Sequence, residues 1–338
     1  MYYVSMKSND IRRNLATETY LMNEKNFDEP LLLFYIEGPC IIVGRNQNTL
    51  EEVNKQYVDE NNIVVTRRLS GGGGAVYQDL GNLCFSFVVD SDSKEFGDFK
   101  SFVQPIVDAL HDMGATSAEV SGRNDILIDG KKFSGNAMYT KHGKTFSHGT
   151  LMLDVDLSVV GKALTVPEDK IKSKGIKSVR SRVTNLKPYL NSEYQNITTP
   201  EFRDILLKEL FHVDDLQEIA DREYQLTDED NAAIDKIFDD LYNNWDWVYG
   251  NSPEFSVKKR QHFTNGTIDA RLQIDDGKIQ NVVFFGDYFG PKDATELADK
   301  LKGGVRFDRQ SVAEALADVD LNQYFAGISE DDFLSMLF

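Results

Sequence analysis

Cysteine is scarce: Cys40 and Cys84 are the only two among 338 residues. That is too few for a disulfide framework or a four-cysteine zinc site, and it fits a reducing compartment. Long apolar runs are missing too. The longest, Leu31 to Ile36, has six residues, against the roughly 20 that a membrane-spanning helix needs. The N-terminal stretch MYYVSMKSNDIRRN carries charges where a signal peptide needs apolar residues, so a cytoplasmic location is expected. Positive charge is in deficit. The 37 Lys and Arg against 55 Asp and Glu leave a net charge of −18. Such a chain repels nucleic-acid backbones and anionic membrane surfaces, so neither is expected as a partner. The five histidines have no metal-ligand spacing. What remains is ordinary for a globular protein: 41% hydrophobic and 27% charged residues, enough for a sizeable core. The length predicts two domains.

Ile11, Leu15, Thr19 and Met22 recur at helical spacing and predict a helix over Asp10–Asn26. Strands are expected at Leu31–Ile36 and Cys40–Val43 around a Gly38-Pro39 turn. A polar helix is expected over Asn48–Asn61 and a strand at Ile63–Thr66. A glycine loop, strand Leu83–Val89 and amphipathic helix Ser101–Met113 follow. Ile126–Ile128, Lys132–Tyr139 and Thr145–Leu153 read as a strand meander, turning at Asp129-Gly130 and His142-Gly143. Helices dominate from about Thr199 to Trp247. The turn-rich Tyr249–Pro253 marks the expected boundary between domains of residues 1–248 and 249–338. The second has strands Gly266–Ile274 and Ile279–Phe285 around an Asp276-Gly277 turn. Helical stretches near Ala294–Leu301 and Val312–Leu316 complete a small α+β module.

Charge is unevenly spread. Lys170 to Lys187 holds seven Lys or Arg and no acid, whereas Asp214 to Asp240 holds eleven acids and two bases. A basic loop in an acidic protein suits a small, local anion; a solvated charged face is the plainer alternative.

The most informative segment is Arg67-Arg68-Leu69-Ser70-Gly71-Gly72-Gly73-Gly74-Ala75-Val76-Tyr77. Four glycines after a strand cost backbone entropy and make sense where something approaches the main chain closely. Their N–H groups can form an anion-binding nest or wall an acyl slot. Arg68 and Ser70 add a guanidinium and a hydroxyl suited to phosphate oxygens. A flexible hairpin tip would explain the glycines but not the arginines. The loop is neither a Walker loop nor a dinucleotide fingerprint. The only Gly-Lys-Thr, Gly143-Lys144-Thr145, has Met138 where the first glycine is required.

A second segment is Gly122-Arg123-Asn124-Asp125, followed by Lys131-Lys132-Phe133-Ser134-Gly135-Asn136-Ala137. In a regular strand Lys132, Ser134 and Asn136 would share one face, as the wall of a site. Asp125 or Asn124 could orient Mg²⁺, which prefers hard oxygen ligands. An exposed hairpin with a lysine tail is the bland alternative. His148 in Ser147-His148-Gly149-Thr150 is a candidate for a pocket wall, although a lone His is more often structural. Both cysteines sit in apolar strands and read as buried small hydrophobes.

Together RRLSGGGGAVYQDLGNLCFSF, GRNDILIDGKKFSGNA, SHGTLMLDVDLS and KGIKSVRSRVTNL resemble the lipoate–protein ligases, in the family order and over essentially the whole chain. The resemblance implies an α+β fold: a mixed-sheet catalytic domain of the biotin/lipoate ligase type with a smaller C-terminal α+β accessory domain. It implies that lipoate and ATP with Mg²⁺ give lipoyl-AMP and pyrophosphate. A lysine on a lipoyl domain of a 2-oxoacid dehydrogenase E2 subunit, or on glycine-cleavage H protein, then attacks the anhydride to give an amide and AMP. By the same resemblance, Arg68, Ser70, Gly71, Gly72, Gly73 and Gly74 line the lipoyl and adenylate slot, continued by Ala75, Val76 and Tyr77. Lys132, with Ser134 and Gly135 beside it, contacts the acyl carbonyl and the α-phosphate. Asn124 lies near the phosphates and Asp125 near the metal. The loop from Lys174 to Val183, with Lys174, Gly175, Val179 and Arg180, closes over the adenylate.

Three departures stand out. The family usually has three glycines where this chain has four, a His at Gln78 and an Asn at Cys84. Carrier-to-carrier acyl transfer is the main competing activity, but the transferases closest in layout use a cysteine nucleophile, no cysteine lies beyond Gly122, and the KGIKSVRSRV loop argues for a nucleotide. A biotin ligase would carry a Gly-Arg-Gly-Arg loop, absent here. A non-catalytic carrier-binding relative would be expected to lose Lys132 or the arginines. The acceptor is expected to dock near the basic loop and the rim of the site, where the charge is favourable.

Overall fold

The computed structural model describes residues 1–90, 99–122, 124–165, 183–249, 257–275 and 277–338. Lys174, Gly175, Val179 and Arg180 therefore lie outside the described residues, as do Arg123 and Asp276. The chain divides into two compact units. The first comprises Met1–Val43, Thr49–Arg68 and Ala75–Val248; the second comprises Gly44–Asn48, Leu69–Gly74 and Tyr249–Phe338.

The first unit opens with β1 (Tyr2–Ser5), α1 (Ile11–Glu24), β2 (Leu31–Tyr35), β3 (Cys40–Val43), α2 (Thr49–Glu52) and α3 (Lys55–Glu60). Then come β4 (Val64–Arg67), β5 (Val76–Gln78), β6 (Asn82–Asp90), α4 (Phe99–Asp112) and β7 (Ala118–Ser121). It continues through β8 (Asp125–Ile128), β9 (Lys131–Lys141), β10 (Lys144–Met152) and α5 (Leu157–Ala163). It closes with α6 (Thr199–Phe211), α7 (Asp228–Ile237) and α8 (Trp245–Val248). Seven strands form a sheet in the order β1-β2-β6-β10-β9-β8-β7, and a smaller sheet runs β4-β3-β5. Parallel pairs β1–β2 and β3–β4 within otherwise antiparallel sheets make both mixed.

One face of the large sheet sends Leu32, Phe34, Leu83, Phe85, Ile126 and Leu151 into a core shared with Val103, Ile106 and Leu110 of α4 and Phe202 and Leu206 of α6. The opposite face meets α1, whose residues Asn14 to Met22 are all buried. Asp10 caps that helix by accepting the Arg12 N–H at 2.9 Å. α1 is fastened to α7 through buried Asp230, which takes the Lys25 ammonium and the Tyr20 hydroxyl, each at 2.7 Å. Burial alone would raise that carboxyl, but Lys25, the Thr227 N–H and the two hydroxyls of Tyr20 and Tyr224 hold it well below the usual range.

The expected helix over Asn48–Asn61 is two short helices. Asn54 interrupts it, and its side chain caps α3 by accepting the Tyr57 N–H at 3.3 Å. Strands β1 and β7, and helix α5, were not foreseen from the pattern; the two strands have only four residues each.

The second unit contains β11 (Val257–Phe263), β12 (Gly266–Asp275), β13 (Lys278–Gly286), α9 (Ala294–Leu301), β14 (Val305–Arg306), α10 (Arg309–Leu316) and α11 (Glu330–Leu337). Its sheet runs β11-β12-β13-β14. Ile268, Ala270, Leu272, Val282 and Phe284 pack on Leu297, Leu301, Val312, Phe325 and Phe333. Among the described residues, no helix is long and apolar enough to cross a membrane.

Candidate active site

A β-bulge decides which way the chemistry faces. β8 and β9 pair Ile126 with Ser134 but Leu127 with Lys132, so Phe133 is an extra residue without an opposite number. Alternation along β9 is thereby inverted. Lys132 lies on the Gly135 side of the sheet: its Nζ is 2.9 Å from where a Gly135 Cβ would stand. Asp125, directly across from Gly135, holds that ammonium at 2.6 Å. Ser134 and Asn136 point the other way. Asn136 donates to the Ser134 hydroxyl at 3.3 Å, and its Oδ1 fills the space a Gly149 Cβ would need, beside the core ring of Phe85. The expectation that Lys132, Ser134 and Asn136 share a face is thus overturned. Ser134 is fully buried on the side that α4 and α6 cover, and Gly135 is the neighbour that Lys132 touches.

On the Lys132 face, the Gly135 N–H donates to the Thr150 hydroxyl at 3.2 Å. Thr150 lies opposite Cys84, and Cys84 opposite Tyr35. The next row is Ala137, His148, Ser86 and Leu33. The small sheet reaches this face through Gln78, whose Oε1 accepts the Cys84 thiol at 2.9 Å. α1 reaches it through Glu18, whose two carboxylate oxygens each lie 3.1 Å from His148 Nδ1. Tyr35 donates to Glu18 at 3.4 Å. A buried polar seam therefore runs between the large sheet, the small sheet and α1. Lys132, with 29% of its side chain exposed, stands where the seam meets solvent.

The seam contains acids that do not behave as surface acids. Glu37 is fully buried, and among the described residues neither carboxylate oxygen has a hydrogen-bond partner. Burial pushes its pKa well up, favouring the neutral acid. Burial likewise raises Tyr35 and the thiols of Cys40 and Cys84. Arg68 is buried as well and donates to the Ile42 carbonyl at 3.3 Å. Burial pushes its guanidinium down to about 10, so it keeps its charge at neutral pH. Arg67, by contrast, is committed to structure: it donates to the Trp247 carbonyl and the Thr49 hydroxyl, each at 2.8 Å.

Asn124 clamps β9, donating to the Asn136 carbonyl at 2.7 Å and accepting the Asn136 N–H at 2.8 Å. Half-buried Val76 and Tyr77 lie on β5, with half-buried Ala75 just before it. Val183, the residue at which the basic segment re-enters the described chain, bridges Lys132 in parallel, and the Thr184 N–H donates to the Lys132 carbonyl at 2.9 Å. Among the described residues there is no group of three His, Cys, Asp or Glu side chains placed to hold a metal.

The glycine loop belongs to the second unit. Gly72, Gly73 and Gly74 all have positive φ, from 75° to 82°, a run that residues with a Cβ rarely adopt. The Phe289 ring lies 2.1 Å from where a Gly72 Cβ would stand. The close approach that the glycines permit is, at Gly72, an aromatic ring. Ser70 is buried, and its carbonyl accepts the Arg45 N–H at 3.1 Å.

Of the seam residues, Glu18, Tyr35 and Glu37 escaped the sequence reading. Glu18 had a signal: it is in phase with Ile11, Leu15 and Met22 at positions i, i+4, i+7 and i+11, so an acid falls on the apolar stripe. For Tyr35 and Glu37, the end of a uniformly apolar strand hides which face is polar.

Mixed sheets flanked by helices, with a buried polar seam ending at an ammonium, define an α+β protein with a cation placed to meet an anion. A model of the lipoyl protein ligase A/B catalytic domain matches residues 10–211, and a model of the bacterial lipoate protein ligase C-terminus matches residues 252–337. The lipoate-protein ligase LplJ of Bacillus subtilis is 46% identical over 330 residues, covering 98% of this chain and 97% of that protein. Plasmodium falciparum LipL1, solved in complex with lipoate, superposes with a TM-score of 0.75 at 25% identity, over 99% of this chain and 97% of that one. A lipoate-protein ligase A bound with ATP gives a TM-score of 0.57 at 26% identity, over 74% of this chain and 98% of that one. The chain belongs to the lipoate–protein ligase family. It is an enzyme, a ligase that joins lipoate to protein.

Proposed function

We propose that this ligase works in two steps at Lys132. A lipoate carboxylate oxygen attacks the α-phosphorus of ATP, the bond to the β-phosphate breaks, and lipoyl-AMP and pyrophosphate result. The amine of an acceptor lysine then attacks the acyl carbon; AMP leaves, and an amide remains. The acceptors are lipoyl domains of 2-oxoacid dehydrogenase E2 subunits, glycine-cleavage H protein, or both. Residues 1–248 are the catalytic domain and residues 249–338 the accessory one.

One observation carries this reading: the Lys132 ammonium, seated over Gly135 at the mouth of a buried seam, with Val183 bridging its backbone. A carboxylate entering the mouth replaces Asp125 as the partner of the ammonium. The same charge then meets the α-phosphate, aligning the two reactants and offsetting the negative charge that grows in each step. Arg68 and the glycine loop, with Ser70, Ala75, Val76 and Tyr77, supply the slot wall. Asn124 fixes the strand that carries Lys132. Lys174 and Arg180 bring positive charge to the phosphates, in the loop that also holds Gly175 and Val179. Mg²⁺ arriving with ATP takes hard oxygen ligands, and a lone carboxylate completed by phosphate oxygens suits it. Asp125 would hold it there, and the ion would offset phosphate charge.

The cysteine-dependent form of acyl transfer without ATP needs a thiolate. Both thiols are buried and pushed up by burial, the reverse of an activated nucleophile. The test is incubation of the protein with lipoate, ATP, Mg²⁺ and an apo-lipoyl domain, read by intact mass. The acceptor should gain one lipoyl group. Lys132→Ala should lose ATP–pyrophosphate exchange by about 10²-fold or more. Exchange near the parent rate in that variant would remove Lys132 from the chemistry.

A further inference from the structure

We propose that Asn185 is a positioning residue for this ligase: its side chain pins the short segment of residues 183–186, and that segment holds the backbone of Lys132. The proposal rests on the role given to Lys132 above. β9 and β10 pair backbone to backbone only from Lys141 opposite Lys144 to Asn136 opposite Gly149. At Gly135 the ladder gives way, and its N–H reaches the Thr150 hydroxyl instead. β10 runs on beside β6 as far as Met152, opposite Asn82. Residues 183–186 enter the gap so opened. On one side the Thr184 N–H donates to the Lys132 carbonyl at 2.9 Å; on the other the Leu186 N–H donates to the Met152 carbonyl at 2.7 Å. The segment is a wedge between the two strands.

Lys132 needs such a wedge. It stands beside the bulge at Phe133, where the β8–β9 ladder is locally disrupted, so its strand is held weakly from that side. Thr184 supplies the hold from the other. What fixes the wedge is one amide. Asn185 Oδ1 accepts the Val155 N–H at 3.1 Å, and its Nδ2 donates to the Val155 carbonyl at 3.0 Å. A single side chain thus pairs both polar groups of one residue, as a neighbouring strand would. An aliphatic side chain makes neither bond, and a carboxylate only the first. The anchor is itself firm. The Leu153 and Asp154 N–H groups both donate to the Gly81 carbonyl, at 3.0 and 2.9 Å, and the Asp156 N–H donates to Asp79 Oδ2 at 3.0 Å. Val155 is buried between them. The line of contact runs from Val155 through Asn185 and Thr184 to Lys132, and its effect on the chemistry passes through the main chain. A misplacement of about 1 Å can cost as much as 10²-fold in rate.

The test measures single-turnover lipoyl-AMP formation at saturating lipoate and ATP. It compares the parent, Asn185→Ala, Asn185→Asp, Lys132→Ala and the Lys132→Ala/Asn185→Ala double variant. Amide hydrogen exchange is followed in the parent and Asn185→Ala. The rate constant reports on placement, and the amplitude counts folded sites. Asn185→Ala should lose about tenfold in rate constant and keep most of its amplitude. Asn185→Asp, which keeps one bond, should fall between. In the Lys132→Ala background the same change should cost nothing more, because the group it places is gone. The Thr184 amide should exchange about tenfold faster in Asn185→Ala. A parent-like rate constant in Asn185→Ala, an equal factor lost with and without Lys132, or unchanged protection of Thr184 each overturns the proposal. A loss confined to amplitude does the same, since it marks a folding role alone. No lipoyl-AMP in the parent, or a parent-like rate in Lys132→Ala, overturns the two-step reading at Lys132; exchange at Thr184 then decides whether Asn185 holds that backbone.

Discussion

Gly135 shows how one missing methyl group can set a reactive group in place. The Lys132 ammonium occupies the volume that a side chain at 135 would take, and that ammonium is the flexible end of its side chain. Gly135→Ala should therefore cost little stability but displace the charge. Lipoyl-AMP formation is expected to fall by about tenfold or more, in line with a misplaced reactive group, while the thermal midpoint stays within a few degrees. Single-turnover adenylation and calorimetry on the same protein check both halves. Glu37 makes a second residue-scale prediction. Its folded pKa lies above the unfolded value of about 4.3. The folded state therefore holds the proton more tightly, and stability drains away as pH rises above that value. Glu37→Gln should be more stable than the parent at pH 8 and no different near pH 4. Thermal melts across that range, with the two curves parallel, would count against a buried neutral acid. Sequence alone identified Lys132, Arg68 and Asp125 as polar groups worth watching, because their neighbours spelled recognisable motifs. It could not find Glu37, since nothing in Tyr35-Ile36-Glu37-Gly38 says that the acid turns inward.

At the scale of elements, periodicity served long segments well and short ones poorly. α1, α4, β6 and β10 lie within a residue or three of where their apolar spacing put them. Strands of two to four residues, such as β1, β7 and β14, are too brief to show a period. The expected helix over 48–61 failed because Asn54 offers its side chain to the backbone and starts a new turn. The wall expected from Lys132, Ser134 and Asn136 failed for a subtler reason. A bulge leaves no mark in composition, and strict alternation is the only rule a strand pattern offers. The glycine loop gives the prediction proper to this scale. Gly72→Ala meets both a positive φ and the Phe289 ring. It should destabilise by about 1–3 kcal/mol in urea unfolding. Phe289→Ala in the same chain should recover the steric part and leave the backbone part. Additive losses in that double-mutant cycle would separate the loop from the ring.

For the whole molecule, the family and the α+β character were legible because four motifs fall in one order along 338 residues. The assignment of Gly44–Asn48 and Leu69–Gly74 to the second unit was not, since both are far from Tyr249 in sequence. The Gly286 N–H bonded to the Asn46 carbonyl at 2.5 Å is a tertiary fact. The excess of acid has a global consequence. At net charge −18, self-repulsion opposes compaction, and salt screens it. Raising sodium chloride from about 0.02 to 0.3 M should raise the thermal midpoint by a few degrees. A flat or falling midpoint would mean that the paired charges, such as Asp230 with Lys25, outweigh the unpaired ones.

Phe133 is the odd member in a run that otherwise counts by twos. A variant in which β9 paired straight through, with Phe133 opposite Leu127 and Lys132 opposite Ile128, would turn Lys132 into the core, away from Asp125. Such a protein could still fold and still melt as one piece, yet have no charge with which to greet its substrates.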